Sequence, residues 1–315
     1  MQRRTFLKTA GSAAIGVLAI GSISTAAEGK KRKFTLDLRC GAIGVRADLR
    51  LSIGFAHRFG FESVEPSAGA VVALSQAELD QVLADLKAKN LVWGAAGLPV
   101  EFRRDDDAFN KGMKDLPAQA AALQKAGITR MGTWLSPASD ELTYVANFRQ
   151  HARRLREVCK VLGDHGLRFG MEYVGPKTSW SKLRYPFIHT MAETKDLIAE
   201  MAVDNAGFVL DSWHWYTAGD TVDDLLSLTN KDVVACDLND APAGIERDDQ
   251  LDNRRELPAA TGVIDLKTFL GALVEIGYDG PIRAEPFNKP LNDMGDEEAL
   301  AATSKAMHKA FALVE

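Results

Sequence analysis

The chain has 315 residues, with 38 lysines and arginines against 43 aspartates and glutamates, so its formal net charge is −5. Hydrophobic residues make up 46% and charged residues 26%, the balance of a globular protein, which excludes a mainly disordered, collagen-like or coiled-coil chain. The acidic balance also argues against a nucleic-acid partner, since such a partner requires a surface rich in lysine and arginine.

The first residues have the pattern of an export signal. Arg3 and Arg4 precede Phe-Leu-Lys, a weakly apolar stretch follows over 13–23, and Ala26 and Ala27 suit a signal peptidase. This arrangement resembles the bacterial twin-arginine signal. We predict a cleaved signal peptide at 1–27 and a periplasmic or secreted protein. The apolar stretch is short and glycine-rich, so we expect no stable membrane anchoring after cleavage.

The cysteines give no sign of a disulfide framework. Cys40, Cys159 and Cys236 lie far apart and form no CxxC motif. An odd number cannot all pair within one chain, and no zinc-binding spacing is present. We predict three buried, unpaired thiols that pack as small hydrophobic side chains.

The rest of the chain alternates between apolar runs and amphipathic helical stretches. Helical stretches end at Gly or Asn before many of the runs, as at Gly60, Gly127, Gly166 and Gly207, where a left-handed residue commonly closes a helix. The runs are continuous rather than alternating, which indicates parallel strands buried on both faces. The predicted strands are 34–38, 61–65, 91–96, 128–134, 167–173, 208–211, 233–238 and 282–285.

Eight strands alternating with helices predict a single-domain α/β protein, a (β/α)8 TIM barrel over 33–315. The main rival is an open, doubly wound sheet. A dinucleotide-binding sheet of that kind carries a glycine fingerprint after its first strand, and Gly41 and Gly44 lack both the third glycine and the following helix pattern.

Acidic residues end the last four predicted strands. Glu172, Asp211, Asp237 and Glu285 each close an apolar run, and Glu65 closes an earlier one. The carboxyl ends of barrel strands meet on one rim, which is where active sites of such barrels lie. Unpaired carboxylates crowded there repel one another, and a divalent cation relieves the repulsion. Oxygen ligands favour Mn²⁺ or Mg²⁺, with Co²⁺ or Zn²⁺ as alternatives.

The segments Met171-Glu172-Tyr173, Asp211-Ser212-Trp213-His214, Asp237-Leu238-Asn239-Asp240 and Ala284-Glu285-Pro286 resemble the xylose-isomerase-like TIM-barrel family of sugar phosphate isomerases and epimerases. The stretch 255–281 resembles the last barrel unit of that family. The resemblance implies a metal held by Glu172, Asp211, Asp237 and Glu285. The family usually has a histidine where this chain has Asp237, so the fourth ligand differs.

The resemblance also implies roles for side chains around the metal. Glu172 and Glu285 match the two proton-transfer bases of the family, one for each face of the sugar. His214 and Arg255 match residues that contact substrate, with a structural histidine and a surface salt bridge as the alternatives. Glu65 is a further substrate-binding candidate on the opposite wall.

The segment after the fifth strand is long enough to act as a lid. It carries Lys177, Trp180 and Tyr185, and aromatic rings of this kind can stack on sugars. We predict substrate contacts for Lys177 and Trp180, while an ordinary packed loop is the alternative. The insertion 241–260, rich in Asp and Arg, is predicted to form part of the substrate rim.

These features predict an exported, metal-dependent sugar isomerase or epimerase with a small-molecule sugar substrate. A lyase or hydratase acting on a keto-sugar or 3-keto-glycoside could use the same residues, and a non-catalytic sugar-binding barrel is the runner-up of another class. The family's endonuclease branch fits poorly, because this acidic chain has only 6 histidines. The oligomeric state stays open, a homo-oligomer included.

Overall fold

The computed structural model describes residues 30–315. The signal peptide predicted at 1–27 lies outside the described residues. Within them, eleven strands form two sheets. The strands are β1 (Thr35–Leu38), β2 (Ser63–Val64), β3 (Val92–Trp93), β4 (Ala96–Gly97), β5 (Arg130–Trp134), β6 (Ala138–Ser139), β7 (Arg168–Glu172), β8 (Tyr185–Pro186), β9 (Ala206–Asp211), β10 (Val233–Leu238) and β11 (Pro281–Ala284).

The main sheet is parallel throughout and has the order β3-β2-β1-β11-β10-β9-β7-β5-β4. Its two end strands, β3 and β4, are separated in the chain only by Gly94 and Ala95. The sheet therefore begins and ends on one interrupted strand, and eight strand positions close into a ring. This confirms the predicted TIM barrel and all eight predicted strands, and a closed ring excludes the open doubly wound sheet.

Helices follow the strands and cover the outside of the ring. The described residues contain α1 (Leu49–Arg58), α2 (Ala68–Val72), α3 (Gln76–Ala88), α4 (Asp106–Lys125), α5 (Tyr144–Asp164), α6 (Lys177–Trp180), α7 (Met191–Met201), α8 (Ser212–Ala218), α9 (Val222–Leu226), α10 (Leu266–Glu275), α11 (Lys289–Asn292) and α12 (Asp296–Phe311). Short 3₁₀ helices lie at Cys40–Ile43, Asn230–Asp232 and Arg247–Asp249.

Apolar stripes on these helices pack against the sheet. In α5, Ala152, Leu155, Cys159 and Leu162 recur at helical spacing and are all fully or almost fully buried. All three cysteines are buried and unpaired, as the sequence predicts. The apolar layer between helices and sheet is therefore what places the strand ends at fixed positions on the rim.

One feature on the rim was not evident in the sequence. Strands β6 and β8 form a small antiparallel pair, Ala138 opposite Pro186 and Ser139 opposite Tyr185, which ties the loops after β5 and β7 together. No helix in the described part of the chain is long and apolar enough to cross a membrane.

Candidate active site

The barrel brings the four strand-end acids together. Glu172 and Asp211 are the last residues of β7 and β9, Asp237 is the fifth residue of β10, and Glu285 directly follows β11. These strands are neighbours in the ring, and all four side chains are buried. The convergence predicted from the sequence is therefore present in the structure.

The acids do not stand alone, because Arg255 lies among them. Its Nη1 donates to Asp211 Oδ2 at 2.8 Å and lies 3.4 Å from Glu285 Oε2, and its Nη2 donates to Asp252 Oδ1 at 2.8 Å. Only 2% of Arg255 is exposed. It is thus a central member of the site, and the surface salt bridge considered as its alternative is excluded.

Two further arginines pair with Asp237 and Glu285. Arg283 donates from Nε and Nη2 to the two oxygens of Asp237, at 2.6 and 3.1 Å. Arg39, which directly follows β1, donates from Nη1 to Glu285 Oε1 at 2.5 Å. The sequence predicts unpaired carboxylates, whereas in the structure Asp211, Asp237 and Glu285 each have a guanidinium partner.

Asn239 connects three neighbouring strand ends. Its Nδ2 donates to Asp211 Oδ1 at 2.9 Å, and its Oδ1 accepts from the backbone N–H of Glu285 at 3.1 Å. Its own N–H donates to Ser212 Oγ at 2.8 Å, and that hydroxyl lies 2.9 Å from the Asn239 carbonyl oxygen. One fully buried amide therefore fixes Asp211 and Glu285 relative to each other.

His214 lies in the first turn of α8 and faces the same cluster. The backbone N–H of Gly175 donates to its Nδ1 at 3.2 Å, and Arg255 Nη2 lies 3.2 Å from its Nε2. Burial, together with the positive charge of Arg255, lowers the pKa of His214 to about 3. The ring is therefore neutral near pH 7.

Burial raises the pKa values of the acids, whereas it lowers that of His214. It raises the pKa of Glu172 well above its ordinary value, and the charge of nearby Glu285 raises it further. Burial also raises the pKa of Asp211, to about 7, although Arg255 opposes this. The pKa of Glu285 is raised by burial and by Asp237. Strongly perturbed carboxyl groups in one cleft are typical of active sites.

Glu172 differs from the other three acids in its contacts. Its Oε1 is buried and accepts no hydrogen bond. Glu172 also belongs to both groups of side chains whose ligand atoms all lie within 4.8 Å of one another: Glu172, Asp211 and His214, and Glu172, Asp237 and Glu285. A buried carboxylate oxygen without a donor, beside further oxygen and nitrogen ligands, fits a divalent cation.

Two of the four acids, Glu172 and Glu285, line two adjoining cavities. An inner cavity of about 230 Å³ is lined by Glu65, Glu172, Arg283 and Glu285, among others. An outer cavity of about 720 Å³ shares Arg39, Trp134, Glu172 and Glu285 with it and also touches His214 and Arg255. The cluster is therefore accessible to a small molecule.

The remaining sequence candidates occupy different positions. Glu65 lines the inner cavity and lies 3.3 Å from Arg39 and 3.8 Å from Arg283. Lys177 instead pairs with Asp248 at 2.8 Å, and Trp180 stacks on His189 with 4.7 Å between ring centroids. The structure does not bring these two side chains to the outer cavity, although Thr178, Ser179 and Lys182 of the same segment line it.

Sequence reasoning missed the basic and amide residues of the site. Arg39, Asn239 and Arg283 each lie within two residues of a predicted strand end. Residues two apart on a strand point to the same face, so Arg283 shares the face of Glu285. This alternation of faces is the sequence signal that could have identified Arg283 as a residue of the site.

The chain matches the family model described as xylose isomerase-like TIM barrel over residues 53–310. The protein belongs to this family. A xylose isomerase domain protein from Alicyclobacillus acidocaldarius subsp. acidocaldarius has the same fold, with a TM-score of 0.78 and 30% identity over 90% of this chain and 99% of that one. The family assignment thus agrees with the resemblance seen in the sequence motifs.

Two other comparisons are with an inosose isomerase and with a structure that contains zinc. The inosose isomerase of Bacillus subtilis (strain 168) is 27% identical over 155 residues, 48% of this chain and 51% of that protein. The chain spans about half the length of the curated relatives it matches. A crystal structure of the IOLI protein with a bound zinc atom aligns over 90% of this chain and 99% of that one, with a TM-score of 0.74 at 18% identity, a likeness of fold.

Proposed function

We propose that this protein is a metal-dependent sugar isomerase or epimerase that moves a proton on a carbon next to a carbonyl group. The observation that carries the proposal is the pair Glu172 and Glu285, two buried glutamates that both line the two cavities and have different partners. Membership of the family and the similarity to an inosose isomerase support a sugar-like substrate.

The two glutamates suit different halves of a proton transfer. Both Glu285 oxygens face guanidinium groups, Arg39 at 2.5 Å and Arg255 at 3.4 Å, which favour its ionised, proton-accepting form. Glu172 Oε1 has no donor and is left for the cation, so we assign the proton to the other carboxylate oxygen of Glu172, whose protonated form burial favours. We assign Glu285 to remove the proton and Glu172 to return one, since groups whose environments differ in this way divide acid and base roles.

A divalent cation bound at this cluster would polarise the carbonyl group and make the neighbouring C–H acidic. Glu172 anchors the proposed ligand set, with Asp211, Asp237 and Glu285 as the other carboxylates. Mn²⁺ or Mg²⁺ suits these oxygen ligands, and His214 beside Asp211 makes Co²⁺ or Zn²⁺ an alternative.

Arg255 and His214 are proposed to hold substrate oxygens. Arg255 is fixed by Asp211 and Asp252, and its guanidinium lies on the wall of the outer cavity. His214 is neutral there and its Nδ1 accepts from Gly175, so its Nε2–H can donate a hydrogen bond to a sugar oxygen. Glu65 is proposed to contact the substrate from the inner cavity.

Solvent deuterium tests the proposal directly. Purified protein loaded with Mn²⁺ is incubated in heavy water with free ketoses, inososes and 3-keto-glycosides, and the sugars are read by NMR and mass spectrometry. We expect deuterium on the carbon beside the carbonyl of an isomerised or epimerised product. Glu285→Gln should abolish exchange, whereas the surface variant Glu275→Gln should not.

Other products would separate the alternatives. A lyase or hydratase using the same residues would release a leaving group or add water and yield an unsaturated or hydrated keto-sugar. Product without deuterium at any carbon would overturn the two-glutamate assignment. Sugar binding without any exchange or turnover would show a binding protein and overturn the proposed enzyme.

A further inference from the structure

Trp134 lies at the mouth of the candidate active site. It is the last residue of β5, and 48% of its surface is exposed, although it lines both the inner and the outer cavity. Trp134 has no role in the proposed proton transfer. An exposed aromatic ring on a cavity wall is available to a ligand.

The Trp134 ring is held in place by Arg103, which in turn packs on Phe102. The Arg103 guanidinium carbon lies 4.2 Å from the Trp134 ring centroid and 4.3 Å from that of Phe102, which is fully buried. Arg103 also donates to Thr133 Oγ1 at 2.7 Å and to the backbone carbonyl of Trp134. The three side chains thus form one stack, Phe102–Arg103–Trp134, anchored in the core.

The outer cavity offers more room than a single sugar ring requires. Its volume of about 720 Å³ lies in the range of about 300–1,000 Å³ that is typical of sites for ligands of drug size. The reacting acids lie where it meets the inner cavity, and its other walls include the apolar Pro137, Val174, Leu183 and Leu251. A ligand held at the acids would therefore leave space beside Trp134, in a cavity bounded by these apolar residues together with polar ones such as Thr178, Ser179 and Lys182.

We propose that the outer cavity is a second subsite, in which the ring attached to the reacting sugar of a glycoside stacks on Trp134. This inference rests on the proposed function, which provides the site for the reacting ring. It adds that the substrate is a glycoside. A flat, uncharged ring, such as an aromatic aglycone or the apolar face of a second sugar, suits a rigid indole and apolar walls. The Phe102–Arg103–Trp134 stack lowers the cost of binding, because the platform is already ordered.

Binding of two unreactive probes tests the subsite. Methyl β-D-glucopyranoside and phenyl β-D-glucopyranoside differ only in the group attached to the sugar, and their dissociation constants are measured by titration calorimetry on the purified protein. We expect the phenyl glycoside to bind roughly tenfold more tightly. Trp134→Ala should remove most of that preference, and Trp134→Phe should keep part of it.

Trp180 provides the matched control, because it stacks on His189 and does not line the outer cavity. Trp180→Ala should keep the wild-type preference. Equal affinity of the two glycosides in the wild type, an unchanged preference in Trp134→Ala, or no binding of either glycoside would overturn the subsite. Deuterium exchange on a free ketose is measured separately, so loss of the proposed enzyme activity is distinguishable from loss of the subsite.

Discussion

Arg283 and Asp237 form a buried, two-point ion pair at the strand ends that carry the candidate site. Arg283 Nε donates to Asp237 Oδ1 at 2.6 Å and Nη2 donates to Oδ2 at 3.1 Å. They lie opposite each other on β11 and β10. The structure therefore places a cation of the chain itself against the fourth acid of the cluster.

Breaking this pair from one side should cost more than replacing both members. Arg283→Met leaves an uncompensated buried carboxylate, and we expect a loss of about 3–5 kcal/mol in the free energy of unfolding. Adding Asp237→Asn to that variant should restore much of the loss. Urea unfolding of the two single variants and the double variant measures the coupling, and strictly additive effects would contradict the pairing.

Metal content should depend unequally on the four acids. Glu172 has an oxygen without a donor, whereas both Asp237 oxygens are bound by Arg283. We expect Glu172→Gln to lower bound Mn²⁺ strongly and Asp237→Asn to lower it much less, as measured by elemental analysis after equilibrium dialysis. The exposed Asp293 provides a control variant, Asp293→Asn. Wild-type metal content in Glu172→Gln would contradict the proposed anchor ligand.

Asn239 should affect catalysis through the residues it positions. Asn239→Asp keeps the acceptor for the Glu285 N–H but loses the donor to Asp211, whereas Asn239→Ala loses both. We expect kcat to fall about 10- to 100-fold in Asn239→Ala, and at least as much in Asn239→Asp, whose carboxylate would face Asp211 Oδ1. Asn230→Ala, at the far end of β10, is the control. Equal kcat values in all three variants and the wild type would show that Asn239 has no positioning role.

His151 should make stability depend on pH. It lies buried in α5 between Phe102 and Phe187, and burial lowers its pKa from 6.5 to about 4. The unfolded chain then binds more protons between these values, so the contribution of His151 to stability is complete above about pH 6.5 and is lost as the pH falls toward 4.

The loss reaches roughly 3 kcal/mol below pH 4, from the size of the pKa shift. Unfolding by urea at pH 4 to 7 measures it as the difference between the wild type and His151→Phe, which lacks the titrating ring. The exposed His57 gives the control variant His57→Phe, which should follow the wild type. If the free energy of unfolding depended on pH in the same way in His151→Phe and in the wild type, His151 would not be the source of the pH dependence.

Export is proposed to depend on Arg3 and Arg4. Replacing both with lysine should retain the protein in the cytoplasm, because the twin-arginine pathway reads the paired guanidinium groups. Cell fractionation and N-terminal sequencing of the wild type should show a periplasmic protein without residues up to about Ala26. Replacing Lys8 with arginine is the control, and unchanged delivery of the double variant would refute the pathway.

The order of strands and the location of the site were predictable from the sequence. Continuous apolar runs with helices between them indicate parallel strands, and the lack of a glycine fingerprint favours a barrel over an open sheet. A parallel barrel brings every strand end to one rim. Glu172, Asp211, Asp237 and Glu285 could therefore be grouped without knowing any distance. Two features were not predicted: the interruption of the third strand at Gly94 and Ala95, and the small β6–β8 pair. Strands of only two residues leave no periodic pattern in the sequence.

Only the tertiary structure decided which charges meet. Arg39, Arg255 and Arg283 belong to separate parts of the chain, and their partners follow from the register of neighbouring strands and from the folding of the segment between β10 and α10. The same holds for the stack of Phe102, Arg103 and Trp134, which joins one loop to the end of β5. Pairing of this kind depends on through-space distances of a few ångströms, whereas the sequence pattern records only which residues are apolar and how they repeat.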